Sequence, residues 1–298
     1  MAFIDDIKRF FNQSSMLVRL ILINVAVFVL MKMLAMGAWL FNAHGLPMMQ
    51  WLALPSDLWM LLKRPWTLLT YMFAHADLFH ILFNMLWLYW LGRIFMEFFS
   101  SKHLTGLYLL GGWGGAALFL LACNLLPRLA EAPDSFLVGS SAAVIAIVVA
   151  TAVYVPDYKI GLLFLGEVAI KWVAIVTVLI AVLSLDSGNS GGAIAHIGGA
   201  LVGAWFALRI KQGHDITRPL NAAIDAVVGA FNGRSLPNIR KQRDGHAPDK
   251  AQKGAPYRPG SQVTEEELDA ILDKIKAAGY DALTDEERDK LFSVSKRR

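Results

Sequence analysis

Six long apolar runs constrain what this chain can fold into. They cover about 17–36, 78–98, 104–126, 137–155, 169–186 and 192–210. A helix needs about 20 mostly apolar residues to cross the hydrocarbon core of a bilayer, and each run approaches that length. Hydrophobic residues make up 56% of the chain and charged residues only 17%, a balance unlike that of soluble domains. The sequence therefore predicts an all-α polytopic membrane protein built as a bundle of six transmembrane helices.

Basic residues beside these runs predict the orientation of the bundle. An even number of spans places both termini on one side of the membrane. The flanks on that side carry Lys8, Arg9, Arg19, Arg93, Lys102, Lys159 and Lys171, whereas the opposite flanks carry Lys63, Arg64 and Arg128. Because Lys and Arg are enriched in cytoplasmic loops, we expect both termini in the cytoplasm and the protein in the inner or plasma membrane of the cell. Spans two, four and six then all run inward from the outer face.

The chain is expected to divide into four parts. These are an interfacial amphipathic segment at 1–16, the six-span core at 17–210, a surface helix and basic linker at 211–262, and a small soluble helical hairpin at 263–298. Apolar residues at helical spacing predict the surface helix over 218–231. The proline-containing stretch that follows is too polar to order itself. Thr264 with Glu267, and Thr284 with Glu287, form the capping boxes that predict the hairpin.

The long connection from Gly37 to Asp77 is rich in tryptophan and methionine. Tryptophan is enriched at the interface between membrane and water. We therefore expect a folded insertion that rests among the lipid headgroups.

Polar side chains inside the predicted spans fall at one depth. With a rise of about 1.5 Å per residue, Ser141 and His196 lie roughly 6 and 7 Å below the outer ends of spans four and six. His80 and Asn84 are one turn apart at the outer end of span two, and so share a face. Because the three spans run in the same direction, we expect these four groups to converge in one layer.

Such a set suits nucleophilic catalysis. A serine hydroxyl becomes a good nucleophile when a histidine within hydrogen-bond reach takes its proton. Ser141 lies in the first turn of its helix, where backbone N–H groups are available to a developing oxyanion. His80 and Asn84 would add side-chain donors to the same negative charge.

Three motifs resemble those of the rhomboid intramembrane serine proteases. They are His80-x-x-x-Asn84 in span two, Gly139-x-Ser141 at the start of span four, and "AHIGGALVG", which contains His196, Gly199 and Gly203, in span six. They occur in the family order, and the resemblance covers about 17–210.

The resemblance implies a function for each of these positions. Ser141 and His196 would form a catalytic dyad without a third acid, with Asn84, His80 and the Ser141 N–H as oxyanion donors. Gly139, Gly199 and Gly203 would support close helix packing, and His75 would have a structural role. The implied substrate is a single-span membrane protein that enters between spans two and five and is cleaved near the outer face.

Two positions depart from the pattern of many family members. Ala142 follows Ser141 where glycine is common, and Thr67 follows Trp66 where arginine is common. Neither change removes a reacting group, so the resemblance still implies a protease.

Two other functions are open. A non-catalytic rhomboid-like protein could bind membrane helices and escort them, although such relatives typically lack the nucleophile or the base. A transporter or channel could use His80, Asn84 and His196 to line a path, but the polar layer is confined to the outer half of the spans.

The remaining composition predicts few other ligands. The single cysteine, Cys123, excludes an intrachain disulfide, and no nucleotide loop or metal-ligand spacing occurs, so we expect no cofactor and no metal. Of the 28 Lys and Arg, 17 lie from Arg209 onward. Anionic lipid explains this basic tail without nucleic acid. The expected partners are the lipid bilayer, the single-span substrates and a cytoplasmic partner of the C-terminal hairpin.

Overall fold

A computed structural model describes residue 11 and residues 14–42, 48–130, 135–162, 166–186, 188–231, 265–278, 284 and 287. The chain forms two compact units, Met1–Leu236 and Pro237–Arg298. The predicted interfacial helix before Ser14, the basic linker and most of the second helix of the hairpin lie outside the described residues.

Six helices form the body of the first unit. They are α1 (Met16–Leu40), α2 (Leu78–Phe98), α3 (Ser101–Leu125), α4 (Ser141–Tyr154), α5 (Ile170–Leu183) and α6 (Ser190–Lys211), and a short helix at Pro127–Ala130 follows α3. Four of the six, α1, α2, α3 and α6, are long and apolar enough to cross a membrane. The predicted fold class, an all-α polytopic membrane protein, is confirmed.

Helices α4 and α5 are shorter than the spans predicted at 137–155 and 169–186. Each has 14 residues, because both runs begin in a strand, at Leu137 and Ala169, and a turn follows Leu183. Every residue from Ala142 to Ala152 is buried in the protein. Non-helical backbone is tolerated at membrane depth where protein surrounds it, so a central helix need not span the bilayer by itself.

Small residues let α3 and α6 pack closely on α4. A Cβ atom added to Gly199 or Gly203 would collide with the carbonyl oxygen of Ala142 or Ala146, respectively. On the other side, a Cβ atom on Gly115 would lie 2.6 Å from the Ala142 methyl group. The methyl group of Ala142 is therefore accommodated by a glycine on α3.

These contacts also define the two ends of the bundle. Gly199 lies against Ala142, and Gly203, one turn later, lies against Ala146, so α6 runs parallel to α4. Helix α3 runs antiparallel to both and begins after its N-cap, Ser100. We call the end where α4 begins the Ser141 end, and the opposite end the Ser100 end.

The predicted insertion between α1 and α2 is folded over its described part. It contains short helices at Met48–Leu52, Leu58–Lys63 and Thr67–Thr70 and a 3-10 turn at Tyr71–Phe73. Strand β1 (Leu54–Pro55) pairs antiparallel with β2 (Phe136–Leu137). The insertion thereby holds the segment that leads into Ser141.

A cluster of aromatic rings anchors the insertion where Thr67 departs from the family pattern. Trp51 and Trp66 stack with ring centroids 6.0 Å apart, and Trp66 Nε1 donates to the Trp51 carbonyl at 2.9 Å. The guanidinium of Arg64 lies 4.7 Å from the Trp51 ring centroid. Thr67 donates its hydroxyl to the Arg64 carbonyl at 2.7 Å. The cation of this cluster is therefore Arg64, three residues before the position where many family members have arginine.

A β-hairpin and several hydrogen bonds lie at the Ser100 end of the bundle. Strands β3 (Lys159–Leu162) and β4 (Gly166–Ala169) form an antiparallel hairpin between α4 and α5. Before it, the Tyr158 hydroxyl donates to Glu97 at the end of α2 at 2.8 Å. Helix α7 (Arg218–Phe231) covers the residues of the predicted surface helix. Asn221 of α7 donates to the Lys102 carbonyl at 3.0 Å.

The second unit contains α8 (Glu265–Ala278), the predicted first helix of the hairpin. Ile271 on its apolar face is buried. Thr284 and Glu287 form the predicted capping box, in which the Thr284 N–H donates to the Glu287 carboxylate at 2.7 Å. The Glu287 N–H donates to the Thr284 hydroxyl at 3.4 Å.

Candidate active site

Ser141 and His196 are in direct contact. His196 Nε2 and Ser141 Oγ are 2.7 Å apart, well within hydrogen-bond distance. Ser141 is the first residue of α4, and His196 lies in the second turn of α6, whose N-terminus is capped by Asn189. The close approach at Gly199, three residues after His196, brings the two helices near enough for this contact.

Gly139 turns the chain into α4 and makes room for His80. Its φ of +116° is rarely adopted by residues with a side chain. A Cβ atom at this position would also lie 2.7 Å from His80 Nε2. Gly139 lies in the loop before α4, so the close approach that it allows is between this loop and α2.

His80 and Asn84 project from the first two turns of α2. Asp77 caps this helix by accepting from the His80 N–H at 2.9 Å. The side-chain amide of Asn84 donates to the His80 carbonyl at 2.8 Å. An asparagine amide carries two N–H groups and this bond uses one of them. The second can serve as a donor to an anion.

One cavity joins all four predicted site residues. It has a volume of about 1260 Å³, and Ser141, His196, His80 and Asn84 all line it. Its walls are mainly apolar, with Phe83, Trp87 and Trp90 on α2, Trp172, Val176 and Ile180 on α5, and Ile160 and Val168 on the hairpin. The cavity therefore separates α2 from α5 and extends from the Ser141–His196 pair to the β3–β4 hairpin.

A buried polar network beside the nucleophile was missed by the sequence reasoning. His75 Nε2 lies 3.3 Å from the hydroxyl oxygen of Ser140, and both residues are almost fully buried. Tyr108, in the middle of α3, donates its hydroxyl to the Met72 carbonyl at 3.0 Å, three residues before His75, and accepts from the Asn24 amide at 3.1 Å. A tyrosine inside a span and a second hydroxyl beside the nucleophile were the available signals, since buried polar groups need partners.

His75 is neutral near pH 7. Burial and the neighbouring His80 ring lower the pKa of His75 to about 4. Its Nδ1 lies 3.3 Å from the Phe73 carbonyl and donates to it, because a carbonyl can only accept. Nε2 of the neutral ring is then the acceptor for the Ser140 hydroxyl.

The chemistry available at this site is that of hydroxyl, imidazole and amide groups. In the part of the chain that the structure describes, no group of three or more His, Cys, Asp or Glu side chains could hold a metal ion. Asp77 is used as the cap of α2, and Asp134 lies outside the described residues.

Comparison with known proteins places these residues in a recognised domain. A family model described as Rhomboid domain matches residues 62–212, a range that contains all four site residues. A second model, described as a family of unknown function (DUF6576), matches residues 261–297.

The chain is also similar to a curated plant protein. This relative is RHOMBOID-like protein 12, mitochondrial, from Arabidopsis thaliana, with 31% identity over 157 residues. The match covers 49% of this chain and 47% of the relative. The aligned region thus spans about half of each protein.

Proposed function

The chain belongs to the rhomboid family, and from this premise we propose that it is an intramembrane serine endopeptidase that cleaves transmembrane helices. The observation that carries the proposal is the 2.7 Å hydrogen bond between Ser141 Oγ and His196 Nε2 in an apolar cavity. Family membership alone is compatible with catalytic and non-catalytic proteins. A nucleophile already paired with a base favours catalysis.

The proposed reaction proceeds through an acyl-enzyme. Ser141 Oγ attacks the carbonyl carbon of the scissile peptide while His196 Nε2 takes the hydroxyl proton. When the tetrahedral intermediate collapses, the C–N bond breaks and His196 returns the proton to the leaving amine. A water molecule, deprotonated by His196, then attacks the ester, and His196 passes this proton to Ser141 Oγ as the ester C–O bond breaks.

Three donors are proposed to hold the oxyanion. They are the N–H of Ser141, the second N–H of the Asn84 amide and the imidazole of His80. Backbone N–H groups in the first turn of a helix have no partner within the helix, and such fixed donors stabilise charge that develops in the transition state. His80 Nε2 lies close to Gly139, two residues before Ser141, which supports a position of the His80 ring beside the nucleophile.

The cavity supports a helical substrate that enters from the lipid. Its apolar walls on α2 and α5 suit transmembrane side chains, and the tryptophans on both walls suit an unwound segment at the membrane interface. We propose that the Ser141 end faces the outer side of the cell membrane and that both termini are cytoplasmic, as the distribution of basic residues favours.

The direct test is cleavage by purified protein in liposomes. A panel of single-span substrates is incubated with the wild type, Ser141→Ala, His196→Ala and, as a matched serine control, Ser100→Ala. We expect cleavage only by the wild type and Ser100→Ala, and a fluorophosphonate probe should label Ser141 in these two proteins. Cleavage that survives either dyad substitution would refute the mechanism. A wild type that binds the panel but cleaves none of it would favour the escort function.

A further inference from the structure

The β3–β4 hairpin has one apolar face and one charged face. Ile160 on β3 pairs with Val168 on β4, and both side chains line the cavity. Successive side chains of a strand point to opposite faces, and the residues before Ile160 and Val168 are exposed. These are Lys159 and Glu167, which form an ion pair at 3.3 Å. The hairpin therefore presents its apolar face to the cavity.

Contacts at its base fix this hairpin to both helices that wall the cavity. A two-stranded hairpin is only marginally stable by itself, so it depends on such contacts. On the side of α5, the Ile170 N–H donates to the Tyr158 carbonyl at 2.8 Å, and Lys171 pairs with Asp157 at 2.5 Å. On the side of α2, the Tyr158 ring packs edge-on against Phe98, with ring centroids 5.5 Å apart.

The distance from the proposed nucleophile to the hairpin corresponds to a defined length of helix. On α2 the lining residues continue from His80 to Leu91, and on α5 from Ser184 to Trp172. At a rise of about 1.5 Å per residue, each series spans roughly 16–18 Å. A substrate helix lying along these walls would have about eleven residues between its scissile bond and the hairpin.

The cavity has the volume of one such helical segment. A helix about 16 Å long and about 10 Å wide, side chains included, occupies roughly 1250 Å³. The cavity has a volume of about 1260 Å³. Helix α4 lines it with its first two turns, at Ser141, Val144 and Ile145. Further from Ser141, the hairpin forms the wall together with α2 and α5.

We propose that the apolar face of the β3–β4 hairpin is the floor of the substrate cavity, and that Ile160 and Val168 contact the substrate helix about eleven residues deeper in the membrane than its scissile bond. The size of the substrate side chain at that depth then helps to decide which helices are cleaved. This inference rests on the proposed peptidase function and deepens it, because it names a part of the substrate that is recognised far from the bond that breaks.

A size-exchange experiment tests the floor. Tryptophan replaces alanine at each position from about eight to about fourteen residues deeper than the scissile bond of a single-span substrate, and kcat/KM is measured in liposomes. For the wild type we expect tryptophan near position eleven to lower kcat/KM about tenfold, because the large side chain collides with the hairpin. Val168→Ala makes room for it, so the penalty should shrink to about threefold or less.

Val182→Ala is the matched control. Val182 lies on α5 outside the lining of the cavity and is 44% exposed, so this variant should keep the activity of the wild type and the full tryptophan penalty. A wild type without a penalty at any position would overturn the inference, and so would a penalty that Val182→Ala relieves as much as Val168→Ala. If Val168→Ala does not fold, Ile160→Val removes one methyl group from the paired residue and should also reduce the penalty.

Disulfide cross-linking gives a second measurement that does not depend on catalysis. Cys123→Ala removes the single native cysteine, and Ser141→Ala keeps the substrate uncleaved. In this background, Val168→Cys should cross-link most strongly to a substrate cysteine near position eleven, whereas Glu167→Cys on the charged face should not. Equal cross-linking along the whole substrate helix, or none, would contradict the floor.

The two measurements separate this inference from the proposed function. A wild type that cleaves no substrate would contradict the peptidase function, and the cross-links would still decide whether a helix reaches the hairpin. An active wild type with neither the tryptophan penalty nor the cross-link would contradict only the floor.

Discussion

The two ends of the helical bundle each hold a serine in contact with a histidine. At the Ser141 end, His196 Nε2 lies 2.7 Å from Ser141 Oγ. At the Ser100 end, His103 Nδ1 lies 3.2 Å from Ser100 Oγ, and His103 Nε2 lies 3.3 Å from Asp215. By residue type, the second set is closer to a serine, histidine and aspartate triad than the first.

The two serine–histidine contacts differ in the other hydrogen bonds that their side chains make. Ser100 and His103 form a capping box, in which the serine hydroxyl accepts from the His103 N–H and the His103 ring accepts from the Ser100 N–H. Asp215 accepts from both the N–H and the hydroxyl of Thr217. Ser141 caps nothing and lines a large cavity. A serine–histidine contact therefore indicates a nucleophile where the helix end does not use the hydroxyl and a substrate can reach it.

Exchanging the two histidines for glutamine should give the largest contrast. His196→Gln removes the proposed base, and we expect the rate of substrate cleavage to fall by about 10³-fold or more. His103→Gln removes the cap, the ring contacts and the contact with Asp215, none of which touches the cavity, so cleavage should stay within about twofold of the wild type and the free energy of unfolding should fall by about 1 kcal/mol. Cleavage assays and denaturant unfolding of both variants check this contrast. Equal losses of activity would mean that the Ser100 end is not merely structural.

Filling a helix contact at the Ser141 end should have the next largest effect. A methyl group at Gly199 collides with the Ala142 carbonyl oxygen, so we expect Gly199→Ala to lower the free energy of unfolding by about 1–3 kcal/mol. The forced separation of α4 from α6 should also reduce cleavage. Gly37→Ala is the control, because a Cβ atom at Gly37 in α1 has no neighbour within 4 Å. Thermal unfolding in detergent measures the stability of both variants. A Gly199→Ala protein that is as stable as the wild type would contradict the close packing.

Asp215 should give a smaller, pH-dependent effect at the Ser100 end. Burial raises the pKa of Asp215, but the hydrogen bonds from Thr217 and the nearby His103 ring outweigh burial and lower it. A carboxyl group whose pKa is lowered by folding stabilises the fold above its ordinary pKa of 3.8, and this stabilisation is lost as the pH falls through the folded value. We expect Asp215→Asn to cost about 1 kcal/mol of unfolding free energy at pH 7, and less at pH 3. A cost that grows on acidification would contradict this sign.

The ion pair between Lys102 and Asp225 should matter least. Its atoms are 2.6 Å apart, but both side chains are more than half exposed, at 66% and 59%. Solvent screens such pairs, so Lys102→Ala should change the free energy of unfolding by about 0.5 kcal/mol or less. Denaturant unfolding at low and high salt measures this difference. A larger cost would show that α7 depends on this pair as well as on Asn221.

The apolar runs predicted the helices most accurately where lipid surrounds them. The run at 78–98 coincides with α2, because a helix exposed to lipid must satisfy its own backbone along its whole length. The runs predicted for α4 and α5 were too long, since the backbone at the start of each run pairs in a strand instead, Leu137 with Leu54 and Ala169 with Lys159. Hydropathy carries no information about such pairing.

The sequence predicted which polar residues line the cavity but not the buried polar side chains around them. Four polar groups at equal depth on three spans pointed to one layer, and the structure brings Ser141, His196, His80 and Asn84 to one cavity. Ser140, Tyr108 and Asn24 were missed because they are spread over three separate segments, and no spacing along the chain connects them. The positive φ of Gly139 was likewise not predicted, because it is a property of the folded backbone.

From its sequence alone, this chain is determined to be a helical membrane protein with a polar layer, since the bilayer imposes length and apolarity on each span independently of its neighbours. Which of its serines contacts a histidine, caps no helix and also lines the cavity was decided only by the tertiary structure. That choice depends on the close approach of α6 to α4 at Gly199 and Gly203, which joins residues that are far apart along the chain.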